Sequence, residues 1–304
     1  MSRFILRRVG LMVPTLGLVL LVVFVVLRVT GDPVELFLDV NATPEDVAAL
    51  RARLGLDQPL PVQFARFVWD LLHGDFGLSL SHQTPALPVV LERVSATLQL
   101  VSVALLLAVV LGITGGLVAA SLKDRLADHV VSGLAVLGQS MPSFWLGLLM
   151  IQAFALELGW LPTSGSGTPA HLMLPALTLS AYLLPNFVLV TRSSVIEAQR
   201  ESFATTARAK GVGSLGVLLR HVLPNALNPI ITVLGLQIGH LIAGSIVTET
   251  IFAWPGIGRL MIGSIYQRDV PIVAAAVVVV SVVIMVTNLL VDVVQALLDP
   301  RVRV

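Results

Sequence analysis

The polar stretch at residues 197–229 is the part of the chain whose residue types and spacing indicate a specific task. It lies between strongly apolar segments, and its pattern predicts two short helices that turn at Gly211, followed by a Leu223-Pro224 step. It contains the basic residues Arg200, Arg208, Lys210 and Arg220, and Arg192 lies just before it. Short amphipathic helices fit a groove on another protein, and glycine permits the sharp turn between them. The stretch therefore indicates docking onto another protein.

Motifs for nucleotide binding and catalysis fail when their context is considered. Residues 211–216 match GxGxxG, but they follow a helical segment instead of a strand. They also have Walker A glycine spacing, yet Val217 and Leu218 stand where Lys and Ser/Thr are required. The chain has no HExxH, no GxSxG and no cysteine, and its six histidines are scattered. We therefore expect this chain to have no catalytic residue, to have no metal site and to bind no cofactor. The sequence does not predict an enzyme.

The composition is that of an integral membrane protein. The chain is 56% hydrophobic and only 12% charged, whereas soluble domains carry about 25% charged residues. About 20 apolar residues in a helix cross a hydrocarbon core of about 30 Å. Runs of this kind occupy residues 9–27, 94–122, 129–156, 171–191, 225–250 and 271–298. We predict an all-α integral membrane protein with six transmembrane helices, in which Pro142 kinks the third.

An even number of spans puts both termini on one side of the membrane. Most of the 19 Lys and Arg residues then fall in segments on the side of the termini, and most of the 18 acidic residues fall on the other side. This bias makes the side of the termini cytoplasmic by the positive-inside rule. The polar stretch is therefore predicted to be cytoplasmic.

The predicted organisation has four parts. Residues 1–29 form the N-terminal cytoplasmic end and first span, and residues 30–95 form an extracytoplasmic segment with short amphipathic helices. One of these helices starts with Thr43 as its cap, and another covers residues 62–72. The core, residues 96–298, holds five spans and the loop 193–224, and residues 299–304 are a cytoplasmic tail. Gly112 and Gly116 of the second span form a GxxxG pair that favours close helix packing.

The spacing of the polar stretch resembles the cytoplasmic EAA loop of ABC importer permeases. The family pattern is Glu-Ala-Ala, three residues, Gly, nine residues and Ile-x-Leu-Pro. Here Ala207, Gly211 and Leu223-Pro224 fall at those positions, whereas the Glu, the first Ala and the Ile are replaced. The segments at 206–211, 218–221, 248–260 and 288–301 resemble the peptide/nickel permease subgroup in particular. The resemblance covers nearly the whole chain.

The resemblance implies a type I ABC importer transmembrane domain with cytoplasmic EAA-type coupling helices, in a bacterial inner membrane. It implies a second homologous permease, two ATP-binding subunits that hold ATP and Mg²⁺, and an extracytoplasmic solute-binding protein. The lipid bilayer is the surrounding medium, and we expect no nucleic-acid partner. Transport would proceed by alternating access, driven through the loop. The residues that would couple to the ATPase are Thr205, Thr206, Ala207, Arg208, Ala209, Lys210, Gly211, Leu223 and Pro224.

The substrate class predicted from the resemblance is short peptides, namely di- and oligopeptides. Nickel or a metal chelate is the runner-up, and glutathione is a further alternative. A secondary transporter that needs no ATPase is an alternative from another class, and it predicts an inverted repeat that is not evident in this sequence. An intramembrane enzyme would need paired catalytic residues at helical spacing, which the spans lack.

Polar residues within the spans are candidates for the translocation path, because a charge at the bilayer centre costs about 2.5–3.5 kcal/mol and must face a cavity or a partner. The candidates are Gln139, Asn186, Gln237, His240 and Glu249. Glu249 lies near a helix end, so it has the alternative role of capping or of pairing with Arg259. For His240 the alternative is a hydrogen bond between helices.

Overall fold

The computed structural model describes residues 2–30 and 56–298, with single positions 45, 48, 51 and 52 between them. The helices are α1 Ser2–Thr30, α2 Leu60–Leu72, α3 Ala86–Ser121, α4 Leu126–Ser140, α5 Ser143–Met150, α6 Pro169–Ala198, α7 Ser202–Ala209, α8 Ser214–Val217, α9 Leu223–Ile251, α10 Ile257–Tyr266 and α11 Val270–Leu298. Two π-helical turns, Ile151–Glu157 and Leu218–Val222, extend α5 and join α8 to α9. Over the described ranges the chain has no strand, only one isolated β-bridge between Leu78 and Pro85.

The helices confirm the predicted all-α membrane fold. In the described part of the chain, five helical segments are long and apolar enough to cross a membrane, and the bent pair α4–α5 makes a sixth if it counts as one span. The second spanning helix starts at Ala86, ahead of the predicted residue 94. The amphipathic helix predicted at residues 62–72 is present as α2. The predicted helix start at Thr43 and the predicted tail lie outside the described residues.

The third predicted span is broken at Pro142, where the sequence predicted only a kink. The axes of α4 and α5 differ in direction by 109°. Met141 (φ −88°, ψ 137°) and Pro142 (φ −56°, ψ 134°) are both extended, so no helical turn continues across them. A proline disfavours the helical conformation of the residue before it, which accounts for the extended Met141. Pro175 and Pro185, in contrast, remain inside the continuous helix α6.

The polar stretch also differs from the prediction in its second half. The first predicted short helix is α7, and Gly211 follows it with a φ of +81°. The second short helix, α8, does not end at the Leu223-Pro224 step but continues through the π-helical turn into α9. Pro224 follows the π-helical turn directly, and such a local adjustment lets a helix continue past a proline. The stretch therefore contains one separate short helix, α7, and one extension of the spanning helix α9, which is formed by α8 and the π-helical turn.

Contacts divide the chain into two compact units. The first comprises Met1–Ile5, Arg93–Ile262 and Ile284–Val304. Within it, α6 packs against both α4 and α9. A methyl group added to Gly112 or Gly116 of α3 would overlap Phe187 or Thr191 of α6, respectively. The GxxxG pair thus permits the close helix packing that the sequence predicted.

The second unit comprises Leu6–Glu92 and Gly263–Val283. Its most polar interior group is Asp269, which is fully buried and precedes α11. The carboxylate accepts hydrogen bonds from the hydroxyls of Ser79 (2.5 Å) and Ser81 (2.6 Å) and from the Ser81 N–H (3.0 Å). Burial alone raises the pKa of Asp269, but these hydrogen bonds outweigh burial and hold the pKa below its usual value. The ionised carboxylate therefore fixes the loop before α3 to the turn before α11.

Candidate functional site

Helix α7 is held to the first unit by one apolar face. Ala204 and Ala207 are one helical turn apart and are 0% and 6% exposed. They belong to a buried group, which we call the anchor cluster, formed by Ala120, Val195, Ala198, Ala204, Ala207, Val217, Val222 and Ala226. These residues come from the ends of α3 and α6, from α7 and from the α8–α9 segment. The anchor cluster therefore joins α7 to the ends of three spanning helices.

The opposite face of α7 is polar and open to solvent. Thr205, Thr206, Arg208, Ala209 and Lys210 are all exposed. The hydroxyl of Thr206 donates to the backbone carbonyl of Ser202 at 2.8 Å, so this side chain is bound back onto its own helix. What α7 offers to another molecule is thus a short cationic surface on a fixed helix. Such a surface suits docking into a groove with acidic residues.

Gly211 closes α7 and directs the chain back to the anchor cluster. The N–H of Gly211 donates to the Arg208 carbonyl at 2.9 Å, and the N–H of Val212 donates to the Ala207 carbonyl at 3.2 Å. This is the Schellman arrangement, in which the residue after the helix takes a left-handed conformation. The φ of +81° at Gly211 meets this requirement, and Val212 then packs against the anchor cluster. The backbone conformation therefore favours glycine at this position.

Leu223 and Pro224, the last two residues of the predicted coupling set, lie where α9 begins. Val222, just before them, is fully buried in the anchor cluster, while Leu223 is half-buried and Pro224 is exposed. Because α8, the π-helical turn and α9 form one helical path, only the four-residue turn 210–213 lies between α7 and the helix that leads into α9. The start of α9 therefore lies close in sequence to α7, and both contribute residues to the anchor cluster.

The predicted path residues lie on three helices of the first unit. Gln139 is exposed near the end of α4, Asn186 is half-buried on α6, and Gln237 is half-buried on α9. His240 follows Gln237 by one turn of α9 and is exposed. Glu249 is fully buried. Four of the five thus have exposed or half-buried side chains, and Glu249 differs from them.

Glu249 is fixed by a set of hydrogen bonds that joins three segments. Its carboxylate accepts from the hydroxyl of Thr97 at 2.7 Å and from the backbone N–H of Arg259 at 3.1 Å. Arg259 is in the first turn of α10, so Glu249 caps that helix. The Arg259 guanidinium instead donates to the Ala253 carbonyl at 2.6 Å. Of the two alternatives considered from sequence, the geometry favours capping over an ion pair.

One polar pair in this unit was not anticipated from the sequence. Asp128 in the first turn of α4 accepts two hydrogen bonds from Arg192 of α6, from Nε and Nη2, each at 2.6 Å. Asp128 is only 2% exposed. The two residues are 64 positions apart, so local pattern could not reveal the pair. The available signal was a charged residue near the end of an apolar helix, which needs a partner.

Comparison with known proteins agrees with this architecture. Residues 112–304 match the family described as the binding-protein-dependent transport system inner membrane component, and residues 1–102 match the N-terminal part of such membrane components. The glutathione transport system permease protein GsiC of Salmonella paratyphi A is 41% identical over 304 residues, which is 100% of this chain and 99% of that protein. The protein of the same name from Escherichia coli K12 is 39% identical over the same length.

Solved structures support the fold independently. The methionine ABC transporter MetNI, in an inward-facing conformation, aligns with a TM-score of 0.58 over 69% of this chain and 96% of that chain, at 17% identity. The type I importer fold predicted from the resemblance is thereby confirmed. Since the family match and the relatives together extend over nearly the whole sequence, the chain belongs to the binding-protein-dependent transport system inner membrane components and is a multi-pass permease of an ABC importer.

Proposed function

We propose that this permease imports short peptides, including the tripeptide glutathione, and that α7 couples it to its ATPase. The observation that carries the coupling role is the geometry of α7, whose inner face is buried in the anchor cluster while its outer face is exposed. The substrate class is supported by full-length similarity to permeases named for glutathione transport. Glutathione is itself a short peptide, so both substrate readings fall in one chemical class.

In the proposed complex this chain pairs with a second, homologous permease. Two ATPase subunits lie on the cytoplasmic side, where both termini of this chain are also placed, and a solute-binding protein delivers substrate from outside. ATP and Mg²⁺ would be held by the ATPase subunits and would supply the free energy of transport. This chain contributes the docking surface, formed by Thr205, Thr206, Arg208, Ala209 and Lys210. It performs no covalent chemistry.

The attachment of α7 supports a mechanism of alternating access. Closure of the ATPase subunits would displace α7, and the anchor cluster would carry the ends of α6 and α9 with it. The residues proposed to meet the substrate lie on these two helices and on α4, and they are Gln139, Asn186, Gln237 and His240. Glu249 is proposed to hold the α9–α10 connection in place instead of binding substrate, because its carboxylate is fully buried and hydrogen-bonded.

Uptake into proteoliposomes tests the proposal. The vesicles contain the complete complex with ATP inside, and the solute-binding protein is added outside with labelled glutathione, a labelled dipeptide or nickel in parallel. ATP-dependent accumulation of glutathione or the dipeptide is the expected result. Accumulation of nickel alone would move the protein to the metal-importing branch, and accumulation of any probe without ATP would contradict the coupling role.

A further inference from the structure

The Asp128–Arg192 pair joins two membrane helices at a defined point. The carboxylate is engaged by two nitrogens of the guanidinium fork, a geometry that fixes orientation as well as distance. Asp128 Oδ2 also accepts the backbone N–H of Asp124 at 3.0 Å, which connects the pair to the turn before α4. Side-chain exposure is 4% for Asp128 and 28% for Arg192, so water screens the pair only weakly.

The pair lies next to the anchor cluster along α6. Arg192 precedes Val195 by one helical turn and Ala198 by about two turns. Val195 and Ala198 are both in the anchor cluster. The last two turns of α6 therefore carry the attachment of α7 at one end and the attachment of α4 at the other. A movement of α7 that displaces the end of α6 must act on Asp128 through Arg192.

Away from this pair, α4 is held to α6 mainly by close apolar packing. A Cβ placed on Gly138 of α4 would lie 3.2 Å from the carbonyl oxygen of Ala181 on α6. Between these two points the face of α4 that is turned to α6 carries Ala135, which is 2% exposed, whereas Val130, Leu134 and Leu137 lie on the opposite face and are 47–64% exposed. Apolar contacts are non-directional, whereas the guanidinium fork of Arg192 fixes both the distance and the orientation of the Asp128 carboxylate. The ion pair is the directional contact that sets the register between α4 and α6.

We propose that the Asp128–Arg192 pair is the linkage through which a movement of α6, imposed by α7, is passed to α4. The far end of α4 is the break at Pro142, beside the path candidate Gln139. The pair is a positioning element, because it acts on the path through α4 and does not touch substrate. This inference rests on the proposed coupling role of α7.

Substitutions separate linkage from simple stability. Loss of one partner leaves an uncompensated buried charge and destabilises a protein strongly, whereas replacing both partners with apolar residues is often neutral. The informative variant is therefore Asp128→Leu combined with Arg192→Leu. Arg192→Lys is the graded variant, because lysine keeps the charge but lacks the planar fork that binds a carboxylate through two nitrogens.

The assay measures substrate transported per ATP hydrolysed by the reconstituted complex, with glutathione and a dipeptide as probes. In the double-leucine variant we expect normal assembly, ATP hydrolysis within about twofold of wild type, and a transport ratio lowered about tenfold, which is within the usual range of coupling between sites. Arg192→Lys should give an intermediate ratio. A structural role alone would lower the amount of complex but leave the ratio unchanged.

A second measurement does not depend on the substrate. The chain has no cysteine, so spin labels can be placed at Leu134→Cys on α4 and Leu189→Cys on α6, two exposed positions. In the complex with intact Asp128–Arg192, the distance between the labels should be the same with and without ATP, because the helices move together. In the double-leucine background the distance should change or broaden when ATP is added.

The outcomes distinguish the linkage from the coupling role itself. A normal transport ratio and an ATP-independent distance in the double-leucine variant would overturn the linkage. If that variant fails to assemble, Arg192→Lys decides, and a wild-type ratio there overturns the linkage. Gly211→Val is run in parallel: if it uncouples transport and the pair variants do not, only the linkage fails. If Gly211→Val is also fully coupled, the role of α7 fails.

Discussion

Replacing Gly211 with valine should uncouple ATP hydrolysis from transport, and the structure gives the size of the effect. Gly211 has a φ of +81°, and an L-residue in the left-handed region costs roughly 1–2 kcal/mol. No atom lies within 4 Å of a Cβ built on Gly211, so neighbouring groups add no steric penalty. The expected cost is therefore that of the backbone conformation alone. It lies at the low end of this range for most residues and is higher for a β-branched residue such as valine.

The strain can be relieved only by opening the end of α7. Rotation of φ away from the left-handed region would break the hydrogen bond from the Val212 N–H to the Ala207 carbonyl. A free energy of one to two kcal/mol changes the ratio of closed to opened ends by a factor of about 5–30. Since only the closed form connects α7 rigidly to the anchor cluster, transport per ATP should fall by at most this factor, which is an upper bound because the closed fraction falls less than the ratio does.

The assay compares uptake with ATP hydrolysis in the same proteoliposomes. Gly213→Val is the matched control, because Gly213 is in the same loop, has no atom within 4 Å of a built Cβ, and has a φ of −63° and a ψ of 155° that valine adopts readily. Gly211→Asn should retain most of the coupling, since asparagine tolerates the left-handed region. A Gly211→Val complex as tightly coupled as the Gly213→Val complex would refute the reasoning.

Three further predictions use other parts of the molecule. Charge reversal of Arg208 and Lys210 to glutamate should reduce co-purification of the ATPase several-fold, and an undiminished complex would exclude these residues from docking. Glu249→Gln should lower the amount of assembled complex, because it disturbs buried hydrogen bonds at a cost of about 1–3 kcal/mol. Uptake per assembled complex should persist. Normal assembly without uptake would instead place Glu249 in the translocation path. The depressed pKa of Asp269 adds stability that is present above its unfolded pKa of about 3.9 and lost as the pH falls through the lower folded value. Thermal melting of the wild type should therefore show an acid-dependent decrease that is smaller in Asp269→Asn, and equal decreases would contradict this assignment.

The elements that the sequence predicted well are those set by local pattern. The spanning helices follow from long apolar runs, and α7 with Gly211 follows from residue spacing and from the conformational freedom of glycine. The proline effects were not local. Pro142 is exposed and breaks the helix, whereas Pro175 and Pro185 are buried inside the continuous α6. Whether a helix continues past a proline depends on packing by neighbouring helices, and the pattern of a single sequence does not reveal that packing.

The candidate site shows the same division. The predicted coupling set includes Ala207, which is buried in the anchor cluster, and the cluster itself was not predicted, because its members come from distant segments. The Asp128–Arg192 pair likewise joins residues 64 positions apart. For Glu249 the sequence left capping and ion pairing open, since backbone and side-chain donors of Arg259 cannot be distinguished without coordinates.

The make-up of the anchor cluster has a mechanical consequence. Every buried member is alanine or valine. Alanine has no side-chain rotamers, and valine has one strongly preferred χ1 in a helix, so these side chains have almost no alternative arrangements. Longer side chains, among them Leu117, Phe203 and Leu218, are only partly buried where they pack against the cluster, so rotamer changes that could absorb a small push are confined to its edge. The core of the anchor cluster therefore has few alternative side-chain conformations. A small displacement at the docking surface would reach the spanning helices largely undiminished.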